Sequence, residues 1–396
     1  MKKSENLKNK LLDIIKKSSE IDAKIYGAMW DEMHNTLASA NKDEDDFLIH
    51  LLKAKYAHNS SQEIDNSYIA KRYDEYVFEQ HNMARNLGFI EQTPESLLEN
   101  VKKFINELQP YAELYANISQ NQRVSIRNMA EVNDINNIYE PILAAHTTQD
   151  NPKDYEKGNY IADQYERLWT LLKLNKIFDK NEFGKITNEL NIALRKGIYN
   201  SDEEVKKLFD TKLQNALNKA DKTSILDYEA FKSITYQGVE DEDKDFFRYL
   251  LARVEKYLRD TKNKALKGRQ SDGTQSIHQL CKKNIHQIEN ATCSDGNASN
   301  TLGGLLLLGA EDKKLISADA TYESKLQAYY QSDLIWGQTL CREFYEESNE
   351  TLGHVRSQLP SHIFEQFKPY DRFDKQALEE RTKLLYELVK IIWEVE

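Results

Sequence analysis

The chain has 396 residues, and its 54 Lys and Arg against 65 Asp and Glu give a formal net charge of −11. That is long enough for two or three cores, and too acidic for indiscriminate binding of nucleic acid over the whole surface. Fourteen glycines and six prolines fit a helix-rich protein, and without a run of 18 apolar residues no membrane helix is expected.

The N-terminus, MKKSENLKNK, leads into LLDIIKKSSE and not into an apolar stretch, so a signal peptide is not expected either. Leu7, Leu11, Leu12 and Ile15 share one face of a helix over residues 5–20. A second helix is predicted over Ile25–Leu37, with Trp30 and Met33 inward. Asp45–Ala57 is acidic at its start and basic at its end, as a helix dipole prefers. The clearest helix start is Thr93-Pro94-Glu95: a capping hydroxyl, a proline at the first position, then acid. Pro110 is expected to kink or divide that helix. After Asn133–Ala145, the polar loop 146–158 marks the best boundary in the first half. Helical patterns follow at 160–178, 185–197, 202–219, 226–236 and 243–262, with no proline between Pro152 and Pro360.

Then the texture changes. Six of the fourteen glycines fall between positions 268 and 309, among Ser, Asn and Asp. Short segments around Ile285–Ile288 and Leu302–Leu308 are predicted as strands. TYESKLQAYYQS returns to helix, with Leu326, Tyr329 and Tyr330 spaced for one face, and Gln376–Glu396 closes the chain as another helix. The fold expected is mainly α, a multi-helix array with a small strand–strand–helix unit inserted near the C-terminus. Its regions are 1–150, 151–267, 268–345 (the insert) and 346–396 (closing helices).

Two candidate binding features flank or enter the insert. Lys256, Arg259, Lys262, Lys264, Lys267 and Arg269 fall within fourteen positions. They make either a solvated helix face running into a charged loop or a patch for DNA phosphates. His278, Cys281, His286 and Cys293 could in number close a tetrahedral zinc site, but the spacing is not a common one. Ordinary reduced cysteines are the plainer alternative, and an odd count of three suits the cytoplasm.

A ββα unit of this size can carry a nuclease site: a strand histidine as general base, and Asn, Asp or His side chains holding a divalent metal at the phosphate. Residues 284–333, with NIHQIEN, NTLGGLLLLGAEDKK and the YESKLQAYY helix, resemble the HNH-type nuclease half of the GmrSD modification-dependent restriction enzymes. The resemblance continues, diffuse but colinear, through ENLKNKLL, Trp30–Met33, Phe47–His50, YEPILAA and ALEERTKLLYELVKIIW. It implies a bacterial anti-phage function, DNA (modified or phage) as a partner, Mg²⁺ or Mn²⁺ if the site is active and otherwise no cofactor, and no membrane. It also implies a sensor domain, here expected as a separate subunit because no sensor motif and no nucleotide-binding loop precede the helical region.

The departures from the family pattern bear on chemistry. His286 falls at the usual Glu, Gln287 at the usual catalytic His, and Asn290 at the usual Pro. Gly303 keeps a family glycine, Gly304 replaces its asparagine, Asp312 falls where a metal-side Asn is expected, and Lys325 matches the helix lysine. A glutamine amide is no base and a glycine is no ligand. The leading expectation is therefore a degenerate finger that binds DNA or the sensor subunit. One alternative is an active metal-dependent endonuclease, with His286 as a substitute base and Asp312, with Glu311 or Glu289, at the metal. Another is an interaction protein with no nucleic-acid role.

Overall fold

The computed structural model describes residues 2–58, 66–120, 124–151, 155–197, 201–236, 241–259, 276–288, 300–317 and 320–395. These contain twenty α-helices and one two-stranded antiparallel sheet, so the chain is mainly helical with a small sheet toward its C-terminal end. No helix among the described residues is long and apolar enough to cross a membrane. The chain divides into two compact units. The first comprises 1–122, 135–169 and 178–215; the second comprises 123–134, 170–177 and 216–396.

The first unit opens with α1 (Lys3–Lys16), α2 (Glu20–Ser39), α3 (Glu44–Tyr56), α4 (Asn66–Tyr76), α5 (Asn82–Leu87) and α6 (Pro94–Gln120). Their buried faces follow the apolar spacing: Leu7, Leu11 and Ile15 on α1, then Trp30, Met33 and Leu37 on α2. Leu12 is only half-buried at the edge of its stripe. The caps are chemical. Ser19 accepts from the Asp22 amide at 3.1 Å, Asp43 from the Asp45 amide at 2.8 Å, and Thr93 from the Ser96 amide at 3.2 Å. Helix α6 continues through Pro110 as one helix, correcting the expected division. Leu108, Tyr111 and Ala112 are buried on both sides of the proline, and that packing holds the segment helical despite the lost donor.

After α7 (Val124–Arg127), which belongs to the second unit, α8 (Tyr139–Ala145), α9 (Tyr155–Leu174), α10 (Lys180–Leu194) and α11 (Asp202–Lys219) follow in the chain. Residues of α3, α8 and α10 meet at a buried charged cluster in the first unit. The Lys53 ammonium lies 3.1 Å from Glu140 Oε1, His50 Nδ1 lies 3.6 Å from the same oxygen, and Asn191 donates to Oε2 at 3.0 Å. Despite full burial, the Lys53 charge first, with His50 beside it, holds the Glu140 carboxyl below its ordinary range.

The second unit is built on α12 (Tyr228–Lys232), α13 (Asp241–Arg259), α14 (Ile277–Cys281), β1 (Asn284–Gln287), β2 (Leu305–Leu308), α15 (Ala310–Lys314), α16 (Tyr322–Gln331), α17 (Ile335–Gln338), α18 (Glu350–Gln358), α19 (Ser361–Phe364) and α20 (Lys375–Ile392). β1 and β2 pair antiparallel, with Ile285 opposite Leu307 and His286 opposite Leu306. All four leucines of β2 are buried, because α13 and α17 cover a strand that a two-stranded sheet would otherwise leave half wet. Just before β2, Gly303 meets the backbone of α20. A Cβ there would lie 2.5 Å from the Thr382 nitrogen, so no larger residue fits. Trp336 on α17 donates its indole N–H to the Leu305 carbonyl at 3.2 Å, fixing the sheet to the helix beside it.

Candidate functional site

The hairpin and the helices after it have the strand–strand–helix order that the sequence predicts over this stretch. Alternation along β1 sends neighbouring side chains to opposite faces, and here it separates the two residues of interest. His286 turns toward α16, where its Nε2 shares a 2.9 Å hydrogen bond with the Tyr329 hydroxyl and the two rings pack edge to face. Gln287 turns the other way and donates its amide to the Asn300 side chain.

Helix α16 supplies the rest of the histidine's surroundings. Lys325 and Tyr329 lie one helical turn apart and so point the same way. The Lys325 ammonium is buried and donates to the Ile288 carbonyl at 3.1 Å; the Tyr329 hydroxyl is 3.4 Å from the same oxygen. Burial first, then the ammonium groups of Lys325 and Lys313, pushes His286 down to about 4, so the imidazole is neutral at physiological pH. Neither Lys325 nor Lys313 has a carboxylate within ion-pair distance among the described residues.

Asp312 is engaged elsewhere. Its Oδ2 accepts from the Gly309 amide at 3.1 Å and from the Ser332 hydroxyl at 2.9 Å, which caps the short helix α15 and ties it to the end of α16. Glu311 pairs with Lys314 at 2.6 Å on the surface. Glu289 and Asn290 lie outside the described residues.

The described residues among these do not fit a Mg²⁺ or Mn²⁺ ion. Such a metal wants several oxygen donors and charge compensation. The imidazole here already shares its Nε2 with Tyr329 and is held neutral by burial, Gly304 offers no side chain, and an Asp312 oxygen is committed to its cap. No group of three or more His, Cys, Asp or Glu that could hold a metal occurs among the described residues. Of the four zinc candidates, Cys293 is outside the described residues, while His278 and Cys281 lie on α14. Burial pushes the Cys281 thiol up to about 12, which keeps it protonated.

The basic cluster upstream divides in the same way. Lys262, Lys264, Lys267 and Arg269 lie outside the described residues. Lys256 is buried. Arg259 binds Glu255 through its Nε at 2.8 Å, reaches the Asp333 carbonyl with a terminal nitrogen, and offers its own carbonyl to His354 at 2.8 Å. Glu255 is itself buried and accepts from the amides of Ile335 and Trp336 at 2.6 and 2.9 Å, which caps the start of α17. So Arg259 serves as an internal brace. Glu255 and Ser332, neither of them singled out by motif, organise this region together with Tyr329, which helical spacing had placed on one face of its helix.

Compared with protein-family models and with curated proteins, the chain matches none.

Proposed function

We propose that this chain is a helical subunit of a GmrSD-like bacterial restriction or anti-phage system, that it meets DNA and a separate sensor subunit, and that its own finger holds DNA without hydrolysing it. The family part of this reading rests on the colinear motifs from ENLKNKLL to the closing helix. What carries the loss of hydrolysis is the state of the imidazole. The strand histidine nearest the usual base position, His286, has its Nε2 on Tyr329 at 2.9 Å and is held neutral by burial and by the nearby charges of Lys325 and Lys313. Gln287, at the usual base position itself, bonds Asn300 and has no basic site.

Supercoiled-plasmid nicking with Mg²⁺ or Mn²⁺, with and without the sensor subunit, tests this alongside duplex binding at low salt. The expected result is salt-sensitive duplex binding with no metal-dependent nicking by the chain alone. Metal-dependent nicking that His286→Ala abolishes would overturn the hydrolytically silent reading in favour of an active, rearranged nuclease. No duplex binding at low salt, where phosphate contacts are strongest, would instead leave a protein-interaction subunit.

A further inference from the structure

We propose that the outer face of α2 is a dimer interface, covered by the α2 of a second copy of this chain laid antiparallel to it. The proposal is independent of the restriction reading above. Trp30, Met33 and Leu37 turn the inner face of α2 into the core, so the opposite face should be polar. Its second half is polar, with Glu32, Asn35 and Ser39 exposed. Its first half is not. Ile21 is 73% and Ile25 53% exposed, one helical turn apart, and exposed Ala28 continues the same stripe. Only four large apolar side chains stand exposed among the described residues, and two of them are this adjacent pair. One exposed isoleucine needs no explanation; two side by side on a helix whose other residues follow the amphipathic pattern mark a contact surface. The flanks of α2 are already taken. Lys8 of α1 reaches Asp31 at 2.6 Å on one side, and Lys102 of α6 reaches Asp22 at 2.5 Å on the other.

Charge identifies the occupant. Lys24 and Glu32 are both exposed, bracket Ile25 and Ala28 along the helix, and have no ion-pair partner among the described residues. Two α2 helices laid antiparallel, Ala28 of each against Ile25 of the other, bring each Lys24 alongside the other copy's Glu32. Laid parallel, they set lysine beside lysine and glutamate beside glutamate, which costs what the antiparallel pair gains. The face is therefore complementary to itself under a two-fold rotation, and such a contact closes at two copies. It is a single helix face, small beside the interfaces of permanent dimers, so association is weak and reversible.

Sedimentation equilibrium of the full chain over about 1 to 100 μM tests this, because weak dimers dissociate in that range. Wild type should pass from monomer to dimer across it. Ile25→Glu places a charge at the centre of the contact and should weaken association at least about tenfold. Lys24→Glu and Glu32→Lys should each weaken it about fivefold, and the two together, which exchange the charges, should restore it. All three positions are exposed, so every variant should keep the wild-type thermal midpoint. A monomer at every concentration would overturn the second copy as occupant and leave the face to a different protein. A dimer that Ile25→Glu leaves intact would place the contact elsewhere and overturn the interface. A double charge variant that associates no better than the single ones would overturn the antiparallel arrangement.

Discussion

Lys53 and Lys325 are both buried lysines, and they are buried on opposite terms. In the first unit Lys53 sits 3.1 Å from Glu140, with His50 and Asn191 completing the carboxylate's surroundings. In the second unit, among the described residues, Lys325 donates to the Ile288 carbonyl and has no carboxylate within ion-pair distance. The first cluster balances its charge internally and so needs nothing from solvent. The second is left positive. A closed balance marks an internal strut, whose breaking strands a charge; an open one has no carboxylate to strand.

The largest effect should come from opening the closed cluster. Lys53→Met strands the Glu140 carboxylate in the core, and removing one partner of such a pair costs about 3–5 kcal/mol. Urea unfolding should show that loss, and a change under about 1 kcal/mol would mean the pair contributes little. Acid should reach the same strut. Glu140 lies below its ordinary value of 4.5 in the folded chain, so its contribution is complete above that pH and is lost as pH falls through the folded value.

Next is the contact that seats the hairpin. Gly303→Ala forces a Cβ to within 2.5 Å of the Thr382 backbone nitrogen, and neither backbone can turn aside as a flexible side chain would. Overpacking of this kind costs about 2–3 kcal/mol. Because the clash involves α20 and the residues before β2, amide exchange should accelerate in the hairpin first. Unchanged protection there would show that the seat tolerates the methyl group.

Histidine titration gives a smaller, pH-resolved effect. His286 falls from its ordinary 6.5 to about 4 on folding, so the folded state resists protonation. The stability this confers is complete above about pH 6.5 and is lost as pH falls toward the folded value. With partial exposure discounted, wild type should lose about 1–2 kcal/mol more than His286→Gln across that window. A His286 imidazole resonance titrating near 6.5 would show that burial does not hold the ring neutral.

Much of this fold was legible in sequence, and the reason is local. Thr93-Pro94 marks a helix start, and the α1 and α2 stripes follow from 3.6-residue spacing, because caps and amphipathic faces are short-range properties. The hairpin strands showed as a leucine run between turn residues. The site was less legible, because its geometry depends on long-range burial. Apolar spacing on α16 favours Leu326, Tyr329 and Tyr330, yet the inward face is Tyr322, Lys325, Ala328 and Tyr329, with Tyr330 40% exposed. A search for apolar periodicity passes over a buried lysine by construction. Glu140 was missed for the same reason: within YEPILAA it reads as the polar residue of an apolar helix, and only the approach of α3 and α10 makes it a centre. Pro110 erred in the other direction, a local breaker overruled by packing.

The smallest effect is the one that sharpens the comparison most. Lys325→Met keeps the length of the side chain, removes its charge and leaves the Ile288 carbonyl with the Tyr329 hydroxyl at 3.4 Å. Replacing a buried charge that lacks a carboxylate partner by an apolar group of similar volume is neutral or mildly stabilising, so stability should move by less than about 1 kcal/mol in either direction. Lys53→Met makes the identical chemical change and should cost several times more. Urea unfolding of the two variants side by side therefore separates the clusters with one substitution. Equal losses would mean that Lys325 is as firmly balanced as Lys53.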